Sequence, residues 1–296
     1  MSDSDFPETA LADLPGLTFD QMRSLIKAQA EQGGLKAIDD EPGKLTIETV
    51  HGLIGLRPGT ETGVAGMVAA SDARWLFMMK SAVAMQMKRA FPATADAMQW
   101  SDSEGEEKLP PNFQFVRATK VEPLGDAFLR VTLQAEDISA HTDQAIHFRL
   151  VLPPRGVEPE WPKVAPNGSV KWPDGDAAPH KPVYSARQVD YEANTITMDV
   201  FMHEGGRVTE WAQEVMAGQR GRTVVGLMGP SGGGKIEETR VFMAADETGF
   251  PPAARLIEGL PNGATAHVIL ESEHGAACEY PMPTRDGVSI HWIARS

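Results

Sequence analysis

Three short stretches in the later part of the chain combine residue types that bind flat, charged ligands. Val183-Tyr-Ser-Ala-Arg187 sets a tyrosine beside a small hydroxyl residue, with an arginine two positions further on. A tyrosine ring stacks on a flat conjugated ring, the next hydroxyl or its amide reaches a ring nitrogen, and the arginine neutralises a phosphate. A strand-edge tyrosine with a surface arginine would show the same residues. The second stretch, Asp199-Val-Phe-Met-His-Glu-Gly-Gly-Arg-Val-Thr-Glu-Trp-Ala212, passes from a strand through a glycine pair into a helix that opens with Arg207, Val208 and Thr209. Glycines let the backbone approach a ligand closely, and free amides at a helix start bind pyrophosphate, although Thr209 is equally read as a cap. In the third, Ala245-Asp-Glu-Thr-Gly-Phe-Pro-Pro-Ala253, Asp246, Glu247 and Thr248 form a turn between a strand and a helix, by itself a generic connection.

Two further patterns carry less. Gly229-Pro-Ser-Gly-Gly-Gly-Lys235 matches a nucleotide hydrolase phosphate loop as far as its lysine, but Ile236 stands where a Ser or Thr must hold Mg²⁺, and a strand follows within a few residues instead of a long helix. A flexible connection between two lobes is the better reading than an NTPase. His267, His274, Cys278 and His291 share one region but match no standard metal-ligand spacing.

The elements that must position these residues are legible from periodicity. Thr18 caps a helix that runs to Gln32, with Met22, Leu25 and Ile26 on its apolar side, and ends at Gly33-Gly34; strands follow near Leu45–Val50 and Leu53–Leu56. A second helix covers residues 73–90, its face of Trp75, Met78, Met79, Val83 and Met87 reading as core rather than as a cofactor box. The acidic, proline-bearing stretch Ser101–Asn112 reads as a linker. Strand-like runs at 115–119, 128–133, 146–152 and 195–201 then predict a small antiparallel β-barrel or sandwich, interrupted by a long Pro-, Gly- and Trp-rich loop over 153–182. A helix at 207–216 and a strand at 223–228 precede a strand–helix–strand–strand series, 239–244, 252–258, 265–270 and 288–293, which reads as the start of an α/β nucleotide-binding lobe.

Composition sets outer bounds. The chain has 296 residues and a net charge of −14, so more than one domain is expected and a polyanion is excluded as main partner, nucleic acid included. The single cysteine, Cys278, rules out a disulfide framework and implies a reducing, cytoplasmic compartment. The first residues carry acids where a signal peptide carries bases, and no apolar run approaches the roughly 18 residues of a membrane span.

Taken together, the three stretches and Gly229-Pro-Ser-Gly232 resemble the siderophore-interacting proteins, a family of FAD-dependent ferric-siderophore reductases within the ferredoxin-reductase-like superfamily. Val183–Arg187 is similar to the family's Arg-x-Tyr-Thr-x-Arg motif, Asp199–Ala212 to its Asp-Phe-x-x-His-Gly segment and the Gly-Pro-Ala-Ser helix start, and Ala245–Ala253 to its Gly-Asp-Glu-Thr-Ala-Leu-Pro-Ala element. Pro182 stands at the motif's first arginine, Arg207 at a proline and Ala245 at a glycine; Lys181 and Arg207 are the cations available in place of the missing one.

The resemblance implies an N-terminal α+β accessory domain over 1–107, an FAD-binding antiparallel β-barrel over 108–236 and a partial NAD(P)H-binding α/β lobe over 237–296, further strands and helices being expected after Arg295. It implies that Tyr184 and Ser185 act at the flavin, and that Ala186, Arg187, His203, Gly206, Arg207, Val208, Thr209, Asp246 and Thr248 complete the cofactor sites. Electrons would pass from NAD(P)H or another donor through FAD to Fe(III) in a siderophore. A non-catalytic siderophore or flavin carrier is the alternative.

Overall fold

The computed structural model describes residues 6–59, 63–103, 108–219 and 224–295; residues 104–107 of the acidic linker, the first five residues and Thr223 of the expected strand lie outside them. In chain order the elements of the first part are β1 (Glu8–Leu14), α1 (Phe19–Gln32), β2 (Lys36–Glu41), β3 (Lys44–Thr49), β4 (Gly52–Pro58), β5 (Val64–Ala70), α2 (Ala73–Ala90) and α3 (Pro92–Ala97). There follow β6 (Phe113–Leu124), β7 (Phe128–Gln134), β8 (His147–Val151), β9 (Lys163–Val164), β10 (Val170–Lys171), β11 (Val183–Ser185), β12 (Gln188–Asp190), β13 (Thr195–Phe201), α4 (Arg207–Met216) and β14 (Val224–Ser231). The last are β15 (Arg240–Ala245), α5 (Phe250–Glu258), β16 (Thr265–Ser272) and β17 (Val288–Ala294). The chain divides into two compact units: Met1–Asn112 with Trp161–Pro173, and Phe113–Glu160 with Asp174–Ser296.

In the first unit an antiparallel sheet of order β1-β5-β4-β3-β2 is covered by α1 and α2. Thr18 and Gln21 form a reciprocal capping box at the start of α1, and the Asp72 carboxylate accepts from the Trp75 amide at the start of α2, satisfying amides a helix start leaves open. Met22 and Ala30 of α1 join Leu76, Met79 and Met87 of α2 and Leu45, Ile47, Leu56 and Val68 of the sheet in one core. Trp75 and Val83 pack against it and Met78 is half-buried, so the methionine face is packing. Residues 161–173, within the expected irregular loop, belong here: the Trp100 indole donates to the Asn167 carbonyl at 2.9 Å, and the Trp100 amide to the Pro166 carbonyl. The buried Lys80 ammonium meets Asp102 at 2.6 Å, the partner such a charge requires.

His51 in the β3–β4 turn stacks on Trp75 with ring centroids 3.2 Å apart and planes 8° from parallel. Burial holds its imidazole below the ordinary value of 6.5, against the opposing pull of Asp72. The unfolded chain therefore binds more protons as pH falls past 6.5; stability present above that value is lost as pH drops through the folded-state value. The urea midpoint of this unit, read by tryptophan fluorescence, is expected to fall between pH 7.5 and 5.5 and to fall less in His51→Gln. An equal fall in both proteins would remove His51 as the cause.

The second unit contains a seven-stranded antiparallel sheet, order β11-β8-β14-β6-β7-β13-β12, and a three-stranded parallel sheet, order β15-β16-β17. The expected barrel is corrected here: among the described residues no hydrogen-bonded strand pair closes the larger sheet. Its two edge strands, β11 and β12, are nevertheless consecutive, joined by Ala186 and Arg187 alone. A span of about 11 Å then links opposite edges, so the sheet must curl. The Ala186 amide bonds to the Ile146 carbonyl on one side and the Arg187 amide to the Thr197 carbonyl on the other, so single backbone bonds hold this link without a strand ladder closing the sheet. Inside, Val116, Val131, Leu133, Phe148, Leu150, Ile196 and Val225 pack with Val208, Trp211 and Ala212 of α4.

The parallel sheet follows from the β15–α5–β16 crossover that parallel pairing requires. Phe250, Ala254 and Ile257 of α5 bury against Ala266, Val268 and Leu270 of β16. Within the same unit Arg130 of β7 forms a bidentate ion pair with the buried Asp199 of β13 at 2.7 and 2.8 Å, and the Tyr280 hydroxyl donates to Asp199 Oδ2 at 2.7 Å. Among the described residues no helix is long and apolar enough to cross a membrane.

Candidate functional site

The residues of the first motif divide between the two faces of β11. Tyr184 pairs with Phe148 and its ring packs against the sheet's core; burial pushes its hydroxyl up to about 12. Ser185 lies opposite His147, and its Oγ is 2.9 Å from His147 Nδ1. The register decides where the backbone of Ser185 points. Ala186 N donates to Ile146 O and Leu150 N to Pro182 O, so 182–150, 184–148 and 186–146 are the hydrogen-bonded pairs. In the alternation of an antiparallel ladder, Val183 and Ser185 then turn their amides and carbonyls toward the free edge. The Ser185 N–H is thus available to a ring nitrogen, beside a tyrosine ring.

Arg187 takes a different place from the one the motif suggests. It is buried, with 6% exposure, and grips Glu258 at the end of α5 through both terminal nitrogens, at 2.7 Å each. Burial opposes its charge and Glu258 more than restores it, so the pair is ionised and already neutralised. Three residues before Glu258, Arg255 donates to the Ala186 carbonyl at 2.6 Å and to Asp143 at 3.0 Å. Arg187, Arg255, Glu258, Asp143 and Lys235 line an open cavity of about 1030 Å³. The Ala186–Arg187 half of the motif is therefore clamped by α5, and other cations are the ones left open to a phosphate.

Those cations stand at the start of α4. Gly206 is its N-cap, no side chain caps it, and the amides of its first turn are left open, as an anion site requires. Gly206 is buried, and a Cβ there would come within 2.7 Å of the His203 ring and 2.9 Å of Thr209 Oγ1. Glycine is thus demanded by close approach. Arg207 is exposed in the first turn, while Val208 and Thr209 are buried against the sheet. Burial first, and then the nearby charges of Arg207 and Lys181, hold His180 below the ordinary imidazole value. In a chain carrying net −14 these residues make a local positive field. An open helix start, a glycine cradle, clustered cations and a free edge amide beside Tyr184 fit a dinucleotide with a flat ring.

Asp246 and Thr248 sit at the carboxyl end of β15, where open α/β sheets bind nucleotides. Asp246 Oδ1 accepts from the Thr248 amide at 3.0 Å and hydroxyl at 2.6 Å, and these bonds lower its pKa despite burial. Its turn packs against β13, which leads into His203 and Gly206. Glu247 of the same turn is buried and ion-paired to Arg295 at 2.8 Å.

The glycine-rich segment has a structural explanation. Strand β14 continues to Ser231, and the next element after it is β15, not a helix. A Cβ at Gly233 would lie 2.6 Å from His147 Nε2, and one at Gly234 2.6 Å from the Gln144 carbonyl. Ile236 packs into the core of the parallel sheet. His267 Nδ1 lies 2.8 Å from Ser289 Oγ and Cys278 is buried. Among the described residues no three His, Cys, Asp or Glu side chains converge as a metal site.

With this geometry in hand, the profile of the siderophore-interacting FAD-binding domain matches residues 116–234, and that of the siderophore-interacting protein matches residues 238–296. The chain belongs to the siderophore-interacting protein family. Its FAD-binding domain is the part that holds β11, α4 and the glycine-rich segment. The chain is 27% identical over 191 residues to the NADPH-dependent ferric-chelate reductase of Escherichia coli K12, covering 62% of this chain and 71% of the relative. It is 28% identical over 201 residues to the ferric vibriobactin reductase ViuB of Vibrio cholerae, covering 65% and 69%. A siderophore utilization protein of T. fusca, known from its crystal structure, is 26% identical, with a TM-score of 0.49 over 64% of this chain and 72% of the other.

Proposed function

We propose that the protein is an FAD-dependent reductase that releases iron from ferric siderophores. The observation that carries the reading is the uncapped start of α4 with Arg207, Lys181 and His180 beside it, in the same unit as the open Ser185 edge next to Tyr184. In this reading the amides of Val208 and Thr209 hold the pyrophosphate with Arg207, while the Gly206 amide donates to the His203 carbonyl at 3.2 Å. Tyr184 and the Ser185 amide hold the ring, and Arg187 with Ala186 keeps β11 fixed to α5. The flavin supplies the redox chemistry, accepting a hydride and giving electrons singly. Fe(III) in the chelate is the substrate; Fe(II) leaves because hard oxygen ligands hold it less strongly.

The carboxyl ends of β15, β16 and β17 would receive the donor. They carry Asp246, Glu247, Glu271 and Glu273, and the nearby Arg295 is already engaged by Glu247 at 2.8 Å and Glu271 at 2.9 Å. Such an edge suits a ribose 2′-hydroxyl and repels a 2′-phosphate. NADH is therefore the expected donor, unlike the donor in the name of the E. coli relative. Purified protein titrated with FAD should turn yellow and bleach anaerobically with NADH about tenfold faster than with NADPH, a difference of about 1.4 kcal/mol. Ferric chelate should restore the colour. Protein that takes up no FAD sinks the reductase; protein that binds FAD but does not bleach with either donor, and whose photoreduced flavin is not reoxidised by ferric chelate, is a carrier.

A further inference from the structure

His147 meets Ser185, the residue whose own amide is open at the β11 edge where the ring nitrogen is expected. The two residues form a non-hydrogen-bonded cross-strand pair, the closer of the two pair types, so their side chains meet on the face of the sheet away from Tyr184 and Phe148. Ser185 Oγ to His147 Nδ1 is 2.9 Å. The other ring nitrogen faces the glycine-rich segment, which admits it because Gly233 has no side chain. That segment is thus shaped around an imidazole that no other side chain of the described residues engages by a hydrogen bond.

We propose that His147 is a positioning residue that, through Ser185 Oγ, accepts the proton released at the flavin ring during iron reduction. The inference rests on the reductase reading. Two ferric ions each take one electron from the doubly reduced ring, which must also shed one proton. Ser185 Oγ accepts that proton while its own hydroxyl proton passes to His147 Nδ1. The ring N–H breaks as a new Ser185 O–H forms, and the original Ser185 O–H breaks as an N–H forms on His147 Nδ1; imidazole becomes imidazolium, and solvent later removes the proton. The step needs a neutral imidazole with its proton on Nε2. Burial, followed by the positive charge of Arg255, favours that neutral form. The charge acting on the ring is Arg255 of α5, itself paired with Asp143; Arg149 follows two residues later on β8 and donates to the Lys181 carbonyl, and Lys235 ends the glycine-rich segment.

His147→Asn is the decisive variant, because its amide oxygen replaces Nδ1 as acceptor for Ser185 but cannot titrate. Three measurements separate the outcomes. FAD affinity, by fluorescence quenching, is expected to stay within about twofold of wild type in His147→Asn. The His147 imidazole, followed by NMR, is expected to change its pKa when FAD binds, and Ser185→Ala is expected to abolish that response. Reoxidation of pre-reduced protein by a ferric chelate is expected to slow in wild type as pH falls through the His147 value. In His147→Asn it should be slower by about a hundredfold and independent of pH there, the low end of acid–base contributions. Normal FAD binding and reoxidation with an unchanged pH profile in His147→Asn would overturn the proton role and leave the reductase reading standing. Absence of FAD binding in wild type would overturn both.

Discussion

Arg207→Glu binds FAD about ten- to a hundredfold more weakly than wild type, with its thermal midpoint unchanged or raised. Arg207 is exposed in the first turn of α4, so it makes no packing contact that its loss would damage. A carboxylate in that turn favours the helix dipole, which is why stability holds. The same carboxylate repels a pyrophosphate and removes a charge-assisted hydrogen bond worth about 1.5–3 kcal/mol. Stability and affinity therefore move in opposite directions, which no simple unfolding defect reproduces. The measurement is a fluorescence titration with FAD beside a thermal melt. An unchanged affinity would mean that the phosphates lie elsewhere than at α4.

The second large effect is on stability. Asp199→Ala destabilises its unit by about 3–5 kcal/mol, because truncating one side of a buried pair strands the other charge. Here the Arg130 guanidinium loses both of its carboxylate bonds and the Tyr280 hydroxyl loses its acceptor. Burial, then the Asp199 charge, raises the Tyr280 pKa, so the hydroxyl stays a donor at every working pH. Tyr280→Phe removes only one hydrogen bond and is expected to cost about 1 kcal/mol. Urea unfolding of both variants decides the matter; equal midpoints would show that the ion pair anchors nothing. Asp199 lies on β13, the strand that leads into His203 and Gly206, so this network ties that strand to β7 and to Tyr280.

Much of this organisation was legible because local rules were obeyed. Helices α1 and α2 announced themselves by period, cap and stop, and Ile236 excluded a phosphate loop before any strand was seen. Strands β1 and β5 were not legible. Their sequences, Glu8-Thr-Ala-Leu-Ala-Asp-Leu14 and Val64-Ala-Gly-Met-Val-Ala-Ala70, rely on alanine and glycine, which carry little strand preference, and they pair because the neighbouring ladder and two helices bury them. The loop over 153–182 likewise gave no sign that residues 161–173 would pack with the first unit, since that choice depends on Trp100 finding carbonyl acceptors at Pro166 and Asn167.

The site divides in the same way. Order and spacing of Val183–Arg187, Asp199–Ala212, Gly229–Gly232 and Ala245–Ala253 carried, from the chain alone, the family resemblance and the expectation of a flavin-type strand edge, a pyrophosphate-type helix start and a nucleotide-type turn. The residues within each stretch are neighbours in sequence, and so their joint chemistry is written in it. Partnerships across the fold were decided only by tertiary structure. Arg187 meets Glu258 from 71 residues away and Ser185 meets His147 from 38. An arginine's type specifies a charge but not which charge answers it. A serine's type specifies a hydroxyl but not the base beside it. Strand register and the packing of α5 supply those answers, because they set which side chains share a face within hydrogen-bond reach.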